Sequence, residues 1–184
     1  MQERRVYRQN ELPESLMWQA VSFMRVQWPS IFKGSLRLLK HTYPPDMGTV
    51  HFTISEEGVL LSYASVLRID LPHAGERHVV YGLGNVFTFP PYQGEGLGRQ
   101  VVEMATGFLR SSEADVAALF CSSRLERFYA ASGWEAQHGA ITRVGTPERF
   151  TVHDELRMML FVSDKGRDAR AAFAGEPLYV PWPW

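Results

Sequence analysis

The spacing of apolar residues along the chain predicts both helices and strands in its first half. The β-branched and aromatic runs 49–55 and 59–70 predict two strands, and Gly58 between them supplies the positive φ of a tight hairpin. Residues 29–46 mix apolar residues with glycine and proline, which predicts a short helix and an ordered loop. Residues 12–25, which precede this segment, predict a helix. Its apolar residues recur at helical spacing on one side and are Leu16, Met17, Ala20, Val21 and Met24.

The second half of the chain predicts an alternation of strands and helices after a polar loop over residues 72–78. The charged run 164–170 interrupts regular patterning, and we interpret residues 163–184 as a C-terminal tail of one domain spanning residues 1–184. This order predicts a mixed α/β sheet. The predicted elements are a strand over 79–89 closed by two prolines, a helix over 97–109, a strand over 116–120, a helix from Ser122 to about Ser132 that ends at Gly133, a strand from Trp134 and a strand over 155–162.

Composition narrows the class of protein. The 184 residues, 45% hydrophobic, suffice for one sizeable core, and 19 Lys and Arg residues balance 20 Asp and Glu residues. This balance provides no basic field for nucleic acid or an anionic membrane, so we expect neither partner. The lone Cys121 follows an apolar run and predicts a buried strand residue. No run approaches a membrane span and the first residues are polar, which predicts a cytoplasmic protein.

A glycine-rich turn, Gln93-Gly94-Glu95-Gly96-Leu97-Gly98, separates the strand over 79–89 from the helix over 97–109. The first amides of a helix are unpaired and carry a partial positive charge, so a turn without bulky side chains at that point can bind phosphate. Arg99 adds a cation in the first helical turn. The turn lacks the Gly-Lys-Ser/Thr ending of a nucleoside triphosphate loop, and its glycine spacing differs from that of a dinucleotide fingerprint.

Two motifs together resemble the GNAT superfamily of N-acetyltransferases. The first is Val86-x-Thr88-x-Pro90-x-x-Gln93-x-x-Gly96-x-Gly98, which resembles the acetyl-CoA-binding motif of that superfamily. The second is Phe128-Tyr129-Ala130-Ala131-Ser132-Gly133-Trp134, which resembles the later helix of the same enzymes. The two motifs occur in the family's order along the chain.

The resemblance implies a fold and a cofactor site. The fold is a mixed, mostly antiparallel sheet of six to seven strands flanked by helices, with a V-shaped splay between two parallel central strands, 79–89 and 116–120. Backbone groups of Val86 and Thr88 would pair with the pantetheine arm of acetyl-CoA, and amides of the turn would hold its pyrophosphate. The implied cofactor-binding residues are Val86, Phe87, Thr88, Gln93, Gly94, Glu95, Gly96, Leu97, Gly98, Arg99 and Ser122; we expect no metal.

Acetyl transfer to an amine requires a neutral nitrogen and an acid for the departing thiolate. Tyr129 matches the family's general-acid tyrosine, and the ordinary tyrosine pKa near 10 keeps it protonated at neutral pH. A packing role with Phe128 and Trp134 is the alternative without the motif.

A narrower resemblance is to the aminoglycoside 2'-N-acetyltransferases, which also have a tryptophan-bearing tail lining their substrate site. Trp182 and Trp184 occupy the comparable position, but Gly84 stands where that group has a glutamate proposed as base. Asn85 beside it would orient a water or be structural. We therefore take Gly84, Asn85, Trp182 and Trp184 as candidate substrate-binding residues, and the base remains open among His41, His51, Glu176 and water.

These patterns predict direct transfer of an acetyl group from acetyl-CoA to a primary amine of a small molecule. The missing glutamate favours an alternative, a GNAT-like protein that senses acyl-CoA without turnover. The apolar tail predicts packing over the substrate cleft, a core-closing role, or packing against another subunit in a homodimer.

Overall fold

The computed structural model describes residues 1–184, apart from the side chain of residue 35. The described chain contains five α-helices: α1 (Glu14–Gln27), α2 (Leu97–Arg110), α3 (Glu126–Ala130), α4 (Asp164–Asp168) and α5 (Arg170–Gly175). It also contains ten strands: β1 (Gln2–Arg8), β2 (Val50–Glu56), β3 (Val59–His73), β4 (Glu76–Thr88), β5 (Val116–Cys121), β6 (Glu135–Ala136), β7 (Thr142–Thr146), β8 (Arg149–His153), β9 (Leu156–Phe161) and β10 (Leu178–Val180). No helix among the described residues has the length and apolar character needed to cross a membrane.

The strands form two sheets, and the mixed α/β prediction is confirmed. Seven strands are hydrogen-bonded in the order β1-β2-β3-β4-β5-β9-β6, and three in the order β10-β7-β8. β4 and β5 are parallel, as predicted, but they pair only over residues 80–82 and 116–118. β5 then continues alongside β9 as far as Cys121, so its pairing with β4 ends three residues earlier.

Residue contacts divide the chain into two compact units, a first unit of residues 1–67 and 85–105 and a second of residues 68–84 and 106–184. In the first unit, α1 packs its predicted apolar side against Leu60, Tyr63 and Phe87. The two guanidinium nitrogens of Arg25 donate to the carbonyls of Arg37 and Leu39, at 3.0 and 2.9 Å. These bonds connect α1 to the segment 29–46, where the predicted short helix is a 3₁₀ turn over Gly34–Leu38.

Two hairpin turns of the same type connect β2, β3 and β4. Glu57 and Gly58 have φ of 50° and 81°, which confirms the predicted first hairpin and matches a two-residue turn with positive φ at both positions. Ala74 and Gly75 repeat this geometry with φ of 49° and 81°. The predicted loop over residues 72–78 is therefore wrong, because this second turn lets both strands continue to His73 and Glu76.

The first strand was also missed. β1 pairs with β2 along its whole length, from Gln2 opposite Glu56 to Arg8 opposite Val50. Its residues are exposed or half-buried, so no alternation of apolar and polar side chains marks it. An edge strand of this composition is stabilised by backbone hydrogen bonds that a hydrophobic pattern does not reveal.

In the second unit, the tail beyond residue 163 is regular structure, whereas the charged run 164–170 had been expected to interrupt it. The Ser163 side chain accepts a hydrogen bond from the Gly166 amide at 3.0 Å and caps α4. α5 follows, and β10 then pairs in parallel with β7. Arg157 of β9, which is 1% exposed, donates to the carbonyls of Ile141 and Phe173 and so connects β9 to both segments.

Candidate functional site

The glycine turn lies in the first unit, and its backbone is shaped for close approach by a ligand. Gly94 and Gly96 have φ of 86° and 80°, a conformation that favours glycine. A Cβ added at Gly94 would meet no atom within 4 Å, and one at Gly96 would meet only the Gln100 side chain at 3.9 Å. The space above both residues is therefore open.

The amides at the start of α2 are free to bind an anion. The Gln100 amide donates to the Gly96 carbonyl at 3.1 Å, which is the first helical hydrogen bond of α2. No described residue accepts a hydrogen bond from the amides of residues 94–99. Buried Leu97 anchors the first turn to the core, and the 14-residue helix provides a positive amino-terminal dipole. A phosphate group fits this arrangement.

The turn residues beside these amides have partners of their own. The Gln93 side chain donates to the Thr88 carbonyl at 3.0 Å and so ties the turn to the end of β4. The Arg99 guanidinium pairs with Glu103 at 2.8 Å on the exposed surface of α2. Glu95 is exposed, and Gly98 lies within α2.

The end of β4 presents one backbone edge that no strand of the described residues covers. The Phe89 amide donates to the Leu61 carbonyl at 3.0 Å, and the Ser62 hydroxyl donates to the Phe87 carbonyl at 2.9 Å, so both phenylalanines direct backbone groups toward β3. Val86 and Thr88 alternate with them and direct theirs to the opposite edge. Pairing with β5 has already ended at Gly82. That edge can accept an extended chain as an added strand.

Asn85 marks an irregularity in β4, with φ of 52° for a residue other than glycine. Its side-chain amide donates to the Ser65 hydroxyl at 3.4 Å. Asparagine tolerates this left-handed conformation better than most residues, so both the backbone and the side chain have a structural explanation. Its predicted role in orienting a substrate water stays a prediction, as does the substrate role of buried Gly84.

Tyr129 lies on α3 in the second unit, 6% exposed, with its ring edge-on to Phe128 at 4.9 Å between centroids. Burial, with smaller contributions from Cys121 and Glu155, raises its pKa above the ordinary value. The hydroxyl makes no hydrogen bond to any described residue. It therefore retains a proton at neutral pH that is available for donation.

The predicted Ser122 cap and Gly133 turn are present on either side of α3, but the α-helix is shorter than predicted and spans only Glu126–Ala130. The Ser122 hydroxyl accepts from the Arg124 amide at 3.4 Å and caps a 3₁₀ turn that leads into α3. Gly133 has φ of 88° at the carboxyl end. Trp134 is 2% exposed and donates from Nε1 to the Thr106 hydroxyl at 3.0 Å.

Cys121 is buried, as predicted, and burial raises its pKa to about 11, which keeps the thiol protonated.

The tail places Trp184 against the central strands of the second unit. Its indole Nε1 donates to the Ala118 carbonyl at 2.9 Å, and its ring lies 4.9 Å from the Phe120 ring between centroids. A Cβ added to Gly82 would lie 2.5 to 2.7 Å from three atoms of this indole. Trp182 is half-buried.

The open candidates for a base differ in their surroundings. His51 is fully buried, its Nδ1 lies 2.6 Å from the Tyr63 hydroxyl, and burial lowers its pKa to about 4. Such an imidazole is a weak base at neutral pH. His41 is half-buried, and its charge also lowers the pKa of His51. Glu176 is exposed, and it offsets only part of the lowering that burial causes in the pKa of His73 at the hairpin end of β3.

Sequence reasoning missed two residues that contact Trp184, Phe120 and Gly82. Phe120 contacts the indole, and its ring also meets the His153 ring at 5.0 Å between centroids. Gly82 makes room for the indole. A glycine inside an apolar strand is a general signal of close approach, so Gly82 was open to prediction, whereas its partner was not.

Among the described residues, no group of three or more His, Cys, Asp or Glu side chains is arranged to hold a metal ion.

The fold and the open glycine turn before α2 indicate a class of protein that comparison with known families identifies. Residues 14–134 match the Acetyltransferase (GNAT) family, and the chain belongs to that family. The match does not distinguish the aminoglycoside 2'-N-acetyltransferases from other members, so the narrower resemblance stays a prediction. No curated protein matched the chain.

Solved structures share the fold at low sequence identity. An acyl-CoA N-acyltransferase from Pseudomonas aeruginosa is 18% identical, with a TM-score of 0.56 over 86% of this chain and 99% of that chain. YhbS, a GNAT family N-acetyltransferase from Escherichia coli solved in complex with CoA, is 16% identical, with a TM-score of 0.61 over 97% and 87%. yncA from Salmonella typhimurium, solved with its cofactor acetyl-CoA, is 18% identical, with a TM-score of 0.57 over 89% and 95%.

Proposed function

We propose that the chain binds acetyl-CoA at the glycine turn and transfers the acetyl group to a primary amine of a small molecule. The observation that carries this proposal is the open turn at the start of α2, with unpaired amides from residue 94 to residue 99, in a member of the GNAT family. Two of the solved neighbours hold CoA or acetyl-CoA, which supports the same cofactor here.

The residues present would hold this cofactor in two ways. The amides of the turn and the dipole of α2 would bind the pyrophosphate, with Arg99 as an added cation. The uncovered backbone edge at Val86 and Thr88 would pair with the pantetheine arm. Gln93 already occupies the Thr88 carbonyl, so we expect the Val86 groups and the Thr88 amide to make these bonds.

The thioester supplies the acetyl group when the cofactor is bound. Attack by a neutral amine nitrogen forms the amide bond, breaks the carbon–sulfur bond and requires a proton for the departing thiolate. We assign that donation to the Tyr129 hydroxyl, which is protonated at neutral pH. Position 84 is glycine and His51 is too weak a base, so the proton lost by the amine would pass to water, His41 or Glu176.

The direct test is thiol release from acetyl-CoA across a panel of amines, with the acetylated product identified by mass spectrometry. Aminoglycosides, polyamines, amino acids and arylamines cover the main acceptor classes, and the first of these tests the narrower resemblance. Amine-dependent thiol release with one acetylated product per thiol supports the transferase. Acetyl-CoA binding by calorimetry without thiol release for any amine would favour the acyl-CoA sensor, the alternative suggested by Gly84.

A further inference from the structure

The position of Trp184 at the end of the β4–β5 pairing has a consequence for the acyl group. Ala118 and Gly82 face each other at the last paired position of these parallel strands. The Trp184 indole sits at this position, hydrogen-bonded to the Ala118 carbonyl and closer to Gly82 than any side chain there would allow. The indole therefore fills the point from which β4 and β5 are no longer paired.

Gly82 and Gly84 lie two residues apart in β4, so their missing side chains belong to the same face of the strand. The indole covers this face at Gly82, and Phe120 packs against it from the same face of β5 as Ala118. Neither glycine places a side chain on this face, and the Trp184 indole occupies the face at Gly82.

The direction of the cofactor along β4 follows from the proposed function, on which this inference rests. The glycine turn follows the carboxyl end of β4, so an arm that runs from the turn along Thr88 and Val86 directs its acyl end toward Gly84. From Gly84 to Gly82 the strand rises about 7 Å. An acetyl group ends before Gly82, whereas a longer chain continues toward the indole.

We propose that Trp184 is a specificity-determining residue that limits the acyl donor to short chains by filling the strand face at Gly82. The indole is rigid, hydrogen-bonded and packed on Phe120, so it resists displacement by a flexible alkyl chain. Its removal exposes an apolar space bounded by Gly82, Ala118 and Phe120, which suits additional methylene groups.

The test compares the affinities of acetyl-CoA and hexanoyl-CoA, measured by calorimetry on the full chain. Wild type should bind hexanoyl-CoA at least about tenfold more weakly than acetyl-CoA, since even one methylene in a shaped apolar pocket changes discrimination by about 10- to 200-fold. Trp184→Ala should remove or reverse this difference while retaining acetyl-CoA binding. Trp18→Ala, a truncation of the exposed indole on α1, should leave the ratio unchanged.

The outcomes separate this inference from the proposed function. Equal affinities in wild type, or an unchanged ratio in folded Trp184→Ala, overturn the role of Trp184 and leave the transferase intact. A shifted ratio without thiol release for any amine supports the role of Trp184 and removes the transferase alone. Absence of binding for both acyl-CoA compounds overturns both. If Trp184→Ala does not fold, Trp184→Leu, which keeps an apolar side chain of smaller size, decides by the same ratio.

Discussion

Glycines at two places in this molecule serve opposite purposes. At Gly96 the backbone has φ of 80°, and the nearest atom to an added Cβ is 3.9 Å away. At Gly82 an added Cβ would lie within 2.7 Å of three atoms of Trp184. Glycine leaves open space at the turn, where we propose that the phosphates bind, whereas glycine in the strand admits a side chain of the same protein. An absent side chain therefore indicates a binding site only when the space beside it is empty.

The largest expected effect is on turnover, and it separates the chemistry that we assign to Tyr129 from the cofactor binding that we assign to the glycine turn. Tyr129→Phe removes one hydroxyl and little volume, so acetyl-CoA affinity should be retained. Turnover should fall by about 10²- to 10⁴-fold, the usual contribution of general-acid catalysis. Steady-state kinetics and calorimetry on the same variant separate the two quantities.

Tyr7→Phe is the matched control for that experiment, because Tyr7 is a half-buried tyrosine on the edge strand β1. Its turnover should equal that of wild type. If Tyr129→Phe turns over as fast as wild type when chemistry limits the rate, Tyr129 is a packing residue beside Phe128.

The next effect is the pH dependence of stability caused by His51, a buried residue of the first unit, in contrast to the open glycine turn of the same unit. Burial lowers the pKa of His51 from 6.5 to about 4, so the unfolded chain binds this proton at higher pH than the folded chain. The resulting stability is fully present above pH 6.5 and is lost as the pH falls from 6.5 to 4. It amounts to about 3 kcal/mol.

Urea unfolding of wild type and His51→Gln at pH 7.5 and pH 4.5 measures this contribution. Burial also lowers the pKa of His73 and His78, so the variant should lose only the part of the pH dependence that belongs to one proton. The same loss of unfolding free energy in both proteins would show that His51 is hydrated in the folded state.

The smallest effect tests the filled glycine itself. Gly82→Ala places a methyl group inside the indole contact, and overpacking of this kind costs about 1 to 3 kcal/mol of unfolding free energy. Gly107→Ala is the matched control, since Gly107 lies in helix α2 and an added Cβ there meets no atom within 4 Å. That substitution should stabilise the helix by up to about 1 kcal/mol. Equal unfolding free energies for the two variants would contradict the close contact between Gly82 and the Trp184 indole.

Local patterns explain why the glycine turn could be predicted from the sequence, whereas the contact between Gly82 and Trp184 could not. The apolar side of α1, the first hairpin and the glycine turn each depend on residues within a few positions of one another, and the structure has all three. The polar edge strand β1 and the tail helix α4 lack such a pattern, because their stability comes from backbone pairing with β2 and from the Ser163 cap.

The contacts of the tail depend on residues far apart in the chain. Nothing near Trp184 in the sequence indicates that it meets Gly82, Ala118 and Phe120. Likewise, the buried Arg157 bonds to carbonyls of two other segments, and its neighbours in the sequence give no sign of them. Candidate residues within a local motif were predictable, whereas the arrangement around the tail required the fold.

The central claim is that the backbone of the glycine turn binds acetyl-CoA, and a calorimetric titration with three proteins tests it most directly. Gly96→Glu and Gly58→Glu introduce the same charge at positive φ, 80° and 81°, at positions with open space, so their strain is matched. Only Gly96 lies in the glycine turn before α2, because Gly58 belongs to the hairpin between β2 and β3. We expect wild type and Gly58→Glu to bind acetyl-CoA equally, and Gly96→Glu to lose at least about 100-fold in affinity, because its carboxylate repels the phosphates. Wild-type affinity in a folded Gly96→Glu variant would contradict the account.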